Sequence, residues 1–272
     1  MIDDIELTRR AERLESEALA SLALSAPRTI AARLGIHLIA DEGAIGSFVA
    51  GADVLALNRI VNLGLEHPAS ERQLDRLVAA ARERGVRRLI IQLAPGHEPA
   101  EIADWVASLG GQPYNQWVRL WRQTAAAPAV ETALRVAAVD ASHAPAFGAE
   151  VAASFDMPPD VGRWLAAVVG RPGWRTFGAF DGAELVSTGA LYLSGAFGWL
   201  GLATTRREYR GRGAQSALIA RRLSEGAAVG CAWVAVETAE ETPERAAPSY
   251  HNLLKLGFTE AYRRPNYLVT LS

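Results

Sequence analysis

Between Ile5 and Leu24 apolar and charged residues are interleaved, with leucines at Leu7, Leu14, Leu19 and Leu22, and the pattern stops near Pro27. This predicts an amphipathic helix. The short apolar runs "HLIADEG" and "GSFVAGADVLALNRIVNLGL" that follow are broken by glycines and predict strands. In "ASERQLDRLVAAARERG" Ser70 and Gln73 have capping-box spacing, Leu74, Leu77, Val78 and Ala81 form an apolar stripe, and Gly85 closes it, predicting a second helix. "VRRLIIQLAPG" then reads as a strand, "EPAEIADWVASLGG" as a helix and "YNQWVRLWRQ" as a strand.

The small-residue, proline-containing stretch "TAAAPAVETA" (124–133) has the composition of a linker. Beyond it the pattern gives a strand in "LRVAAVD", helices in "ASHAPAFGAEVAASF" and "PDVGRWLAAVVG", and a strand meander with DG and SG turns. A helix in "AQSALIARRLSEGAA", a strand in "CAWVAVET", a helix in "ERAAPSYHNLLKLG" and closing strands in "FTEAYRRPNYLVTL" complete the chain. The two halves repeat one order: helix, glycine, apolar strand, helix, Leu-Gly, strand with a tyrosine. A shared order over this length predicts a duplicated domain, with copies at 1–126 and 133–272. Only the second copy carries an arginine- and glycine-rich loop, at "TTRREYRGRG"; the first has "VNLGLEHPASERQ" in its place. The chemistry is therefore expected in the second copy.

Half of the 272 residues are hydrophobic and 21% are charged, which suffices for an ordinary globular core. A formal net charge of −2 does not suit a general nucleic-acid binder. The start "MIDDIELTRR" lacks the features of a signal peptide, and no apolar run approaches the length of a membrane span. A cytoplasmic protein with no membrane partner is expected. Cys231 is the single cysteine, read as a buried small hydrophobe, and the five histidines show no metal spacing, so no metal is expected. Lys255 is the exception in an otherwise all-arginine set of cations.

The loop itself points to an anion. A glycine-rich turn between a strand and a helix exposes main-chain N–H groups at the positive end of the helix dipole, and arginines add forked donors for phosphate. A Walker A loop would need a Gly-Lys-Ser/Thr ending, which is missing, and a dinucleotide loop would need glycine where Ser216 stands. "EYRGRGAQSAL" resembles the acyl-CoA pyrophosphate loop of the GNAT (GCN5-related N-acetyltransferase) superfamily, Arg/Gln-x-x-Gly-x-Gly/Ala. Arg210 and Gly213 match; Gln215 departs from the last position. The ending "NLLKLGFTEAYRRPNYLVTL", with Gly257-Phe258, and the element order from about 133 to 272 are similar to the family as well.

The resemblance implies an α/β fold with a mixed twisted sheet of GNAT type, in two tandem GNAT-like domains of which the first is degenerate. It implies acetyl-CoA, or another acyl-CoA, as co-substrate and transfer of the acyl group to a primary amine of a small molecule or peptide. Main chain at Ala203, Thr204 and Thr205 would pair with the pantetheine arm and supply the oxyanion donor; the segment Gly211, Arg212, Gly213, Ala214, Gln215 and Ser216, with Arg210, would hold the pyrophosphate. The tyrosine that many relatives place four residues before the glycine of Gly-Phe is replaced by Leu253, so the thiolate acid is expected at Tyr250, three residues earlier, or Tyr250 is a packed aromatic. The family's asparagine earlier in this helix is also missing, and Asn252 is expected to reach the cofactor instead. Glu237, following an apolar strand, is the first choice of base, with Glu240 and Glu241 as alternatives. Trp164, Trp174, Tyr192, Phe197 and Trp199 fall on the acceptor side, as a pocket or as ordinary core. A non-catalytic acyl-CoA-binding module is the competing class, and a scaffold that dimerises is a third; a homodimer is compatible with each.

Overall fold

The computed structural model describes residues 4–124 and 127–271. They form two compact units: residues 4–24, 28–118 and 262–271 make unit 1, and residues 25–27, 119–124 and 127–261 make unit 2. No described helix is long and apolar enough to cross a membrane.

Unit 1 contains helices α1 (Asp4–Ser25), α2 (Arg28–Leu34), α3 (Glu71–Glu83) and α4 (Ile102–Ser108), and strands β1 (Ile36–Asp41), β2 (Ala44–Val49), β3 (Arg59–Val61) and β4 (Arg88–Gln92). Its strand order is β1-β2-β3-β4-β11, with β3 and β4 parallel and the remaining pairs antiparallel. The predicted stripe on α3 is buried as expected: Leu74, Leu77, Val78 and Ala81 join Phe48, Ile60, Ile91, Ile102 and Val106 in one core. Ser70 caps α3 by accepting from the Gln73 N–H, but the Gln73 side chain donates to Asp41 O at 2.6 Å, so the reciprocal half of the capping box is not made. Helix α2 was not expected; Pro27, read as a stop, stands immediately ahead of it, and proline suits the entry to a helix as well as the exit from one.

The chain's last strand, β11 (Thr259–Thr270), is a single strand where closing strands were expected. From Tyr262 onward it belongs to unit 1, because Asn266–Thr270 pairs antiparallel with Gln92–Arg88 of β4. Strand β5 (Gln112–Gln123) is divided the other way, with residues from Arg119 onward in unit 2. The units therefore do not coincide with the consecutive spans 1–126 and 133–272. Local pattern reads strands well and says nothing about which distant strand each will pair with. Of the expected linker 124–133, Ala125 and Ala126 lie outside the described residues; the rest has no regular structure.

Alternation along β3 and β4 sends Ile60 and Ile91 toward α3 and leaves Arg59 and Gln92 for the opposite face, which α1 covers. There Glu15 of α1 meets Arg59 at 2.7 Å and Arg264 of β11 at 2.7 Å, and Glu12 meets Arg264 at 2.6 Å. Asn62 Nδ2 donates to Ser16 Oγ at 2.7 Å. The charged heads are nearly inaccessible, so each depends on its partners for compensation.

Unit 2 contains β6 (Arg135–Ala138), α5 (Ala144–Ser154), α6 (Pro159–Leu165), β7 (Trp174–Asp181), β8 (Glu184–Ser194), β9 (Phe197–Thr205), α7 (Ala214–Ala228), β10 (Trp233–Ala239) and α8 (Pro248–Lys255). Its order is β10-β9-β8-β7-β6: an antiparallel meander from β6 to β9, with β10 parallel to β9. Helices α5 and α6 approach closely because both carry glycine at the contact; a Cβ on Gly148 would fall 2.0 Å from the Gly162 carbonyl oxygen.

Removing one arginine from the unit 1 cluster strands its carboxylates. Arg264→Met is expected to cost about 3–5 kcal/mol in denaturant unfolding; a loss below about 1 kcal/mol would show that the cluster is not held as a charged unit.

Candidate functional site

Strands β9 and β10 pair in parallel from Phe197↔Trp233 to Leu200↔Val236, and the pairing then ends. On the other side of β9 the register against β8 shifts between Ala190↔Gly201 and Thr188↔Thr204, so Leu202 and Ala203 together face one residue. Leu202 takes φ +50°, an uncommon conformation for a branched side chain and a mark of local strain. The bulge is held from below: Thr188 Oγ1 donates to Leu202 O at 2.9 Å, and buried Arg222 of α7 donates to Ala190 O at 3.1 Å and to Leu218 O at 3.0 Å. Burial without a carboxylate beside it pushes Arg222 down to about 9. Gly189 makes room for that guanidinium, since a Cβ there would sit 2.9 Å from Arg222 Cζ. Past the bulge, Ala203, Thr204 and Thr205 run along the opened side of β9.

The arginines after β9 divide into an anchor and a rim. Arg206 is tied to Glu150 of α5 at 2.6 Å and to Glu184 at the start of β8, and these acceptors raise its pKa further. Arg207 is exposed in a short 3₁₀ turn, Arg207–Tyr209. Arg210 is exposed and donates through Nε to Thr205 O at 3.3 Å. Arg212 stacks on the Tyr209 ring at 4.7 Å and stands 3.8 Å from Asp181. Gly211 and Gly213 have φ +79° and +78°. The space around a Gly211 Cβ is open, whereas a Gly213 Cβ would fall 2.8 Å from Glu131 O. Thr132 closes this turn by donating to Arg212 O at 2.8 Å, a contact from the linker segment that no motif signals.

Gly213 is the N-cap of α7 and has no side chain to cap it. Among the described residues no acceptor meets the N–H groups of Ala214, Gln215 or Ser216. Unpaired donors at the positive end of a fifteen-residue helix select an anion.

A cleft of about 600 Å³ joins the opened strand to this helix start. Ala203, Thr204, Thr205, Arg210, Gly211, Gly213, Ala214, Gln215, Ser216 and Asn252 line it; Arg212 does not. Sequence reasoning missed Ser154 and Phe155 at the end of α5, Tyr209 of the turn, and Pro248 and Ser249 of α8. Phe155 leaves 54% of its surface exposed, and no motif in the sequence marks it.

Neither expected catalytic side chain, Glu237 or Tyr250, is among the residues that line the cleft. The Tyr250 hydroxyl donates to Glu260 Oε2 at 2.6 Å. On α8 the residues three apart, Ser249 and Asn252, turn to the cleft, and Leu253 is buried, leaving Tyr250 and His251 on other faces. His251 Nε2 lies 3.0 Å from the Glu241 carboxylate; this contact, then the Ala247 N–H, holds Glu241 below the usual carboxylate range. Glu237 follows the last paired residue of β10, is mostly buried, and stands 3.7 Å from buried Arg119. Trp164, Trp174 and Trp199 are buried; Trp174 packs on Tyr192 at 5.1 Å and on Trp199 at 6.3 Å, which is the ordinary-core alternative for these rings.

Unit 1 repeats the parallel pair, in β3 and β4, and a positive φ just after β3, at Asn62 (+62°). Its helix start is satisfied internally. Ser70 caps α3, Ala69 N donates to Glu98 O at 2.7 Å, and Glu98 N donates to Gly64 O at 2.8 Å.

No protein-family model matches the chain, and no curated protein does. Solved structures do. The GCN5-related N-acetyltransferase from Kribbella flavida superposes with a TM-score of 0.65 at 15% identity over 95% of both chains. One from Sphaerobacter thermophilus gives 0.58 at 18% identity, over 84% of this chain and 80% of that one. A tandem GNAT protein from the clavulanic acid biosynthesis pathway gives 0.55 at 18% identity, over 78% of this chain and 74% of that one. The chain has the GNAT fold in its tandem form.

The two loop glycines differ in what they must accommodate. Gly213→Ala, strained in φ and pressed against Glu131 O, is expected to lower the melting temperature more than Gly211→Ala, which pays only the conformational term of about 1–2 kcal/mol. Equal losses would mean that the linker does not press on Gly213.

Proposed function

We propose that this protein is an acyl-CoA-dependent N-acyltransferase, moving an acetyl group from acetyl-CoA to a primary amine of a small molecule or peptide, with unit 2 as the working domain. The observation that carries the reading is the junction of an opened, bulged strand with an uncapped helix N-terminus in one cleft. The strand offers main-chain partners to the amides of the pantetheine arm, and the helix offers N–H donors to the pyrophosphate. Arg210 at the rim adds charge suited to phosphate oxygens. Unit 1, with its helix start satisfied by Ser70 and the loop around Glu98, is proposed as the degenerate copy.

In this reading the amine attacks the thioester carbonyl as the free base. A C–N bond forms, the carbonyl oxygen becomes an oxyanion held by an N–H of the β9 segment after the bulge, and the C–S bond then breaks. The amine proton passes to a base, for which Glu237 is proposed, directly or through water. A proton goes to the departing thiolate, for which Tyr250 is proposed once its hydrogen bond to Glu260 is exchanged. Arg119, 3.7 Å from Glu237, orients that carboxylate.

A binding module without turnover is the second reading, favoured by one observation: the position four before Gly257 is a buried leucine, Leu253, and the nearby tyrosine is engaged elsewhere.

An amine panel with acetyl-CoA, read by release of free thiol, separates the two; amine-dependent release supports transfer, and binding without release supports the module. For an active amine, Glu237→Gln is expected to lower kcat by about 100-fold or more while leaving CoA affinity within about twofold. An unchanged kcat would remove Glu237 from the reaction. Calorimetry is expected to find one CoA per chain; two would contradict a degenerate unit 1.

A further inference from the structure

We propose that Gln215 is a positioning residue that turns Asn252 to read an amide of the pantetheine arm, an inference that rests on the acyl-CoA reading above. Gln215 stands where the acyl-CoA loop pattern has glycine or alanine, so its long side chain is this chain's own addition. That side chain crosses from the first turn of α7 to α8: Gln215 Nε2 donates to Ser249 Oγ at 2.9 Å, and Gln215 Oε1 accepts from Asn252 Nδ2 at 2.7 Å. All three residues are half-buried and line the cleft.

A carboxamide has two ends of similar shape and opposite hydrogen-bonding sense. Gln215 Oε1 can only accept, so it commits the Asn252 amino group to itself and turns Asn252 Oδ1 the other way. Among the described residues Asn252 Oδ1 meets no donor, and Ser249, which accepts from Gln215, keeps its own O–H to donate. The result is an uncharged group on α8 offering an acceptor and a donor, linked through the Gln215 side chain to the start of α7, which offers donors alone. Donors alone suit phosphate; an acceptor paired with a donor suits a secondary amide, which presents N–H and C=O together. Coenzyme A carries these two chemistries in sequence along its length, pyrophosphate first and pantetheine amides after it.

A staple that merely held α7 to α8 would affect every ligand of the cleft alike, so the test compares two ligands. Calorimetry is run on wild type, Gln215→Ala and Asn252→Ala with CoA and with 3′-phospho-ADP, the nucleotide part of CoA without its pantetheine arm. The expected result is that both variants bind CoA about five- to tenfold more weakly, as for loss of one or two hydrogen bonds, and bind 3′-phospho-ADP within about twofold of wild type. With an active amine, KM for acetyl-CoA rises in Gln215→Ala while kcat stays within about twofold. Equal weakening of both ligands, or unchanged CoA affinity, overturns the proposal and leaves the acyl-CoA reading standing, because wild type still binds CoA. Wild type binding neither ligand overturns both.

Discussion

Two strands that run side by side and then part set what unit 2 can do. Backbone N–H and C=O groups seek partners, and a parallel pair that stops at Leu200 and Val236 leaves the following residues of β9 with one side unpaired. The bulge at Leu202 and Ala203 helps to impose that parting, and it is a costly conformation that the surroundings must enforce. Thr188 holds the Leu202 carbonyl, and Arg222 reaches through the gap left by Gly189 to hold the neighbouring strand. A buried arginine without a carboxylate is costly to maintain, and here its hydrogen bonds go to main-chain carbonyls on α7 and β8. From this support the chain continues into a turn whose two left-handed glycines deliver it to an uncapped helix.

Unit 1 shows the same parallel pair with the ends closed. The N-terminus of α3 has its serine cap, and the loop before it bonds to the loop around Glu98. Beneath α1 it buries two glutamates and two arginines in mutual contact, an arrangement that fixes one geometry more than it adds stability. One unit commits its polar groups to itself, and the other leaves a row of them uncommitted. That difference supports assigning the chemistry to unit 2.

Most elements were legible because they depend on local pattern: the α3 stripe, the DG and SG hairpins of the meander, and the glycine turn ahead of α7. The uncapped start of α7 was legible for the same reason, since a left-handed glycine with no capping side chain is a local fact. What escaped required distance. The return of β11 to β4 follows from pairing between residues 174 or more positions apart, and Thr132, far upstream, fastens the Arg212 carbonyl. Tyr250 shows how spacing leaves the face of a helix open. Three residues from Leu253 gave it a neighbouring place on α8, yet Ser249 and Asn252 take the cleft and Tyr250 turns to Glu260. The arginines looked alike in sequence and separate into an internal anchor, Arg206, and a rim residue, Arg210, only when their partners are known.

The proposed activity requires unit 2 to take acyl-CoA into the cleft between β9 and α7. Thermal unfolding of the full chain with acetyl-CoA, CoA and ATP tests this most directly, since a ligand that binds only the folded state raises the melting temperature. With the cleft as the acyl-CoA site, the melting temperature is expected to rise with dose for acetyl-CoA and CoA and not for ATP at the same concentrations. No rise with either thioester or thiol, or an equal rise with ATP, would contradict it.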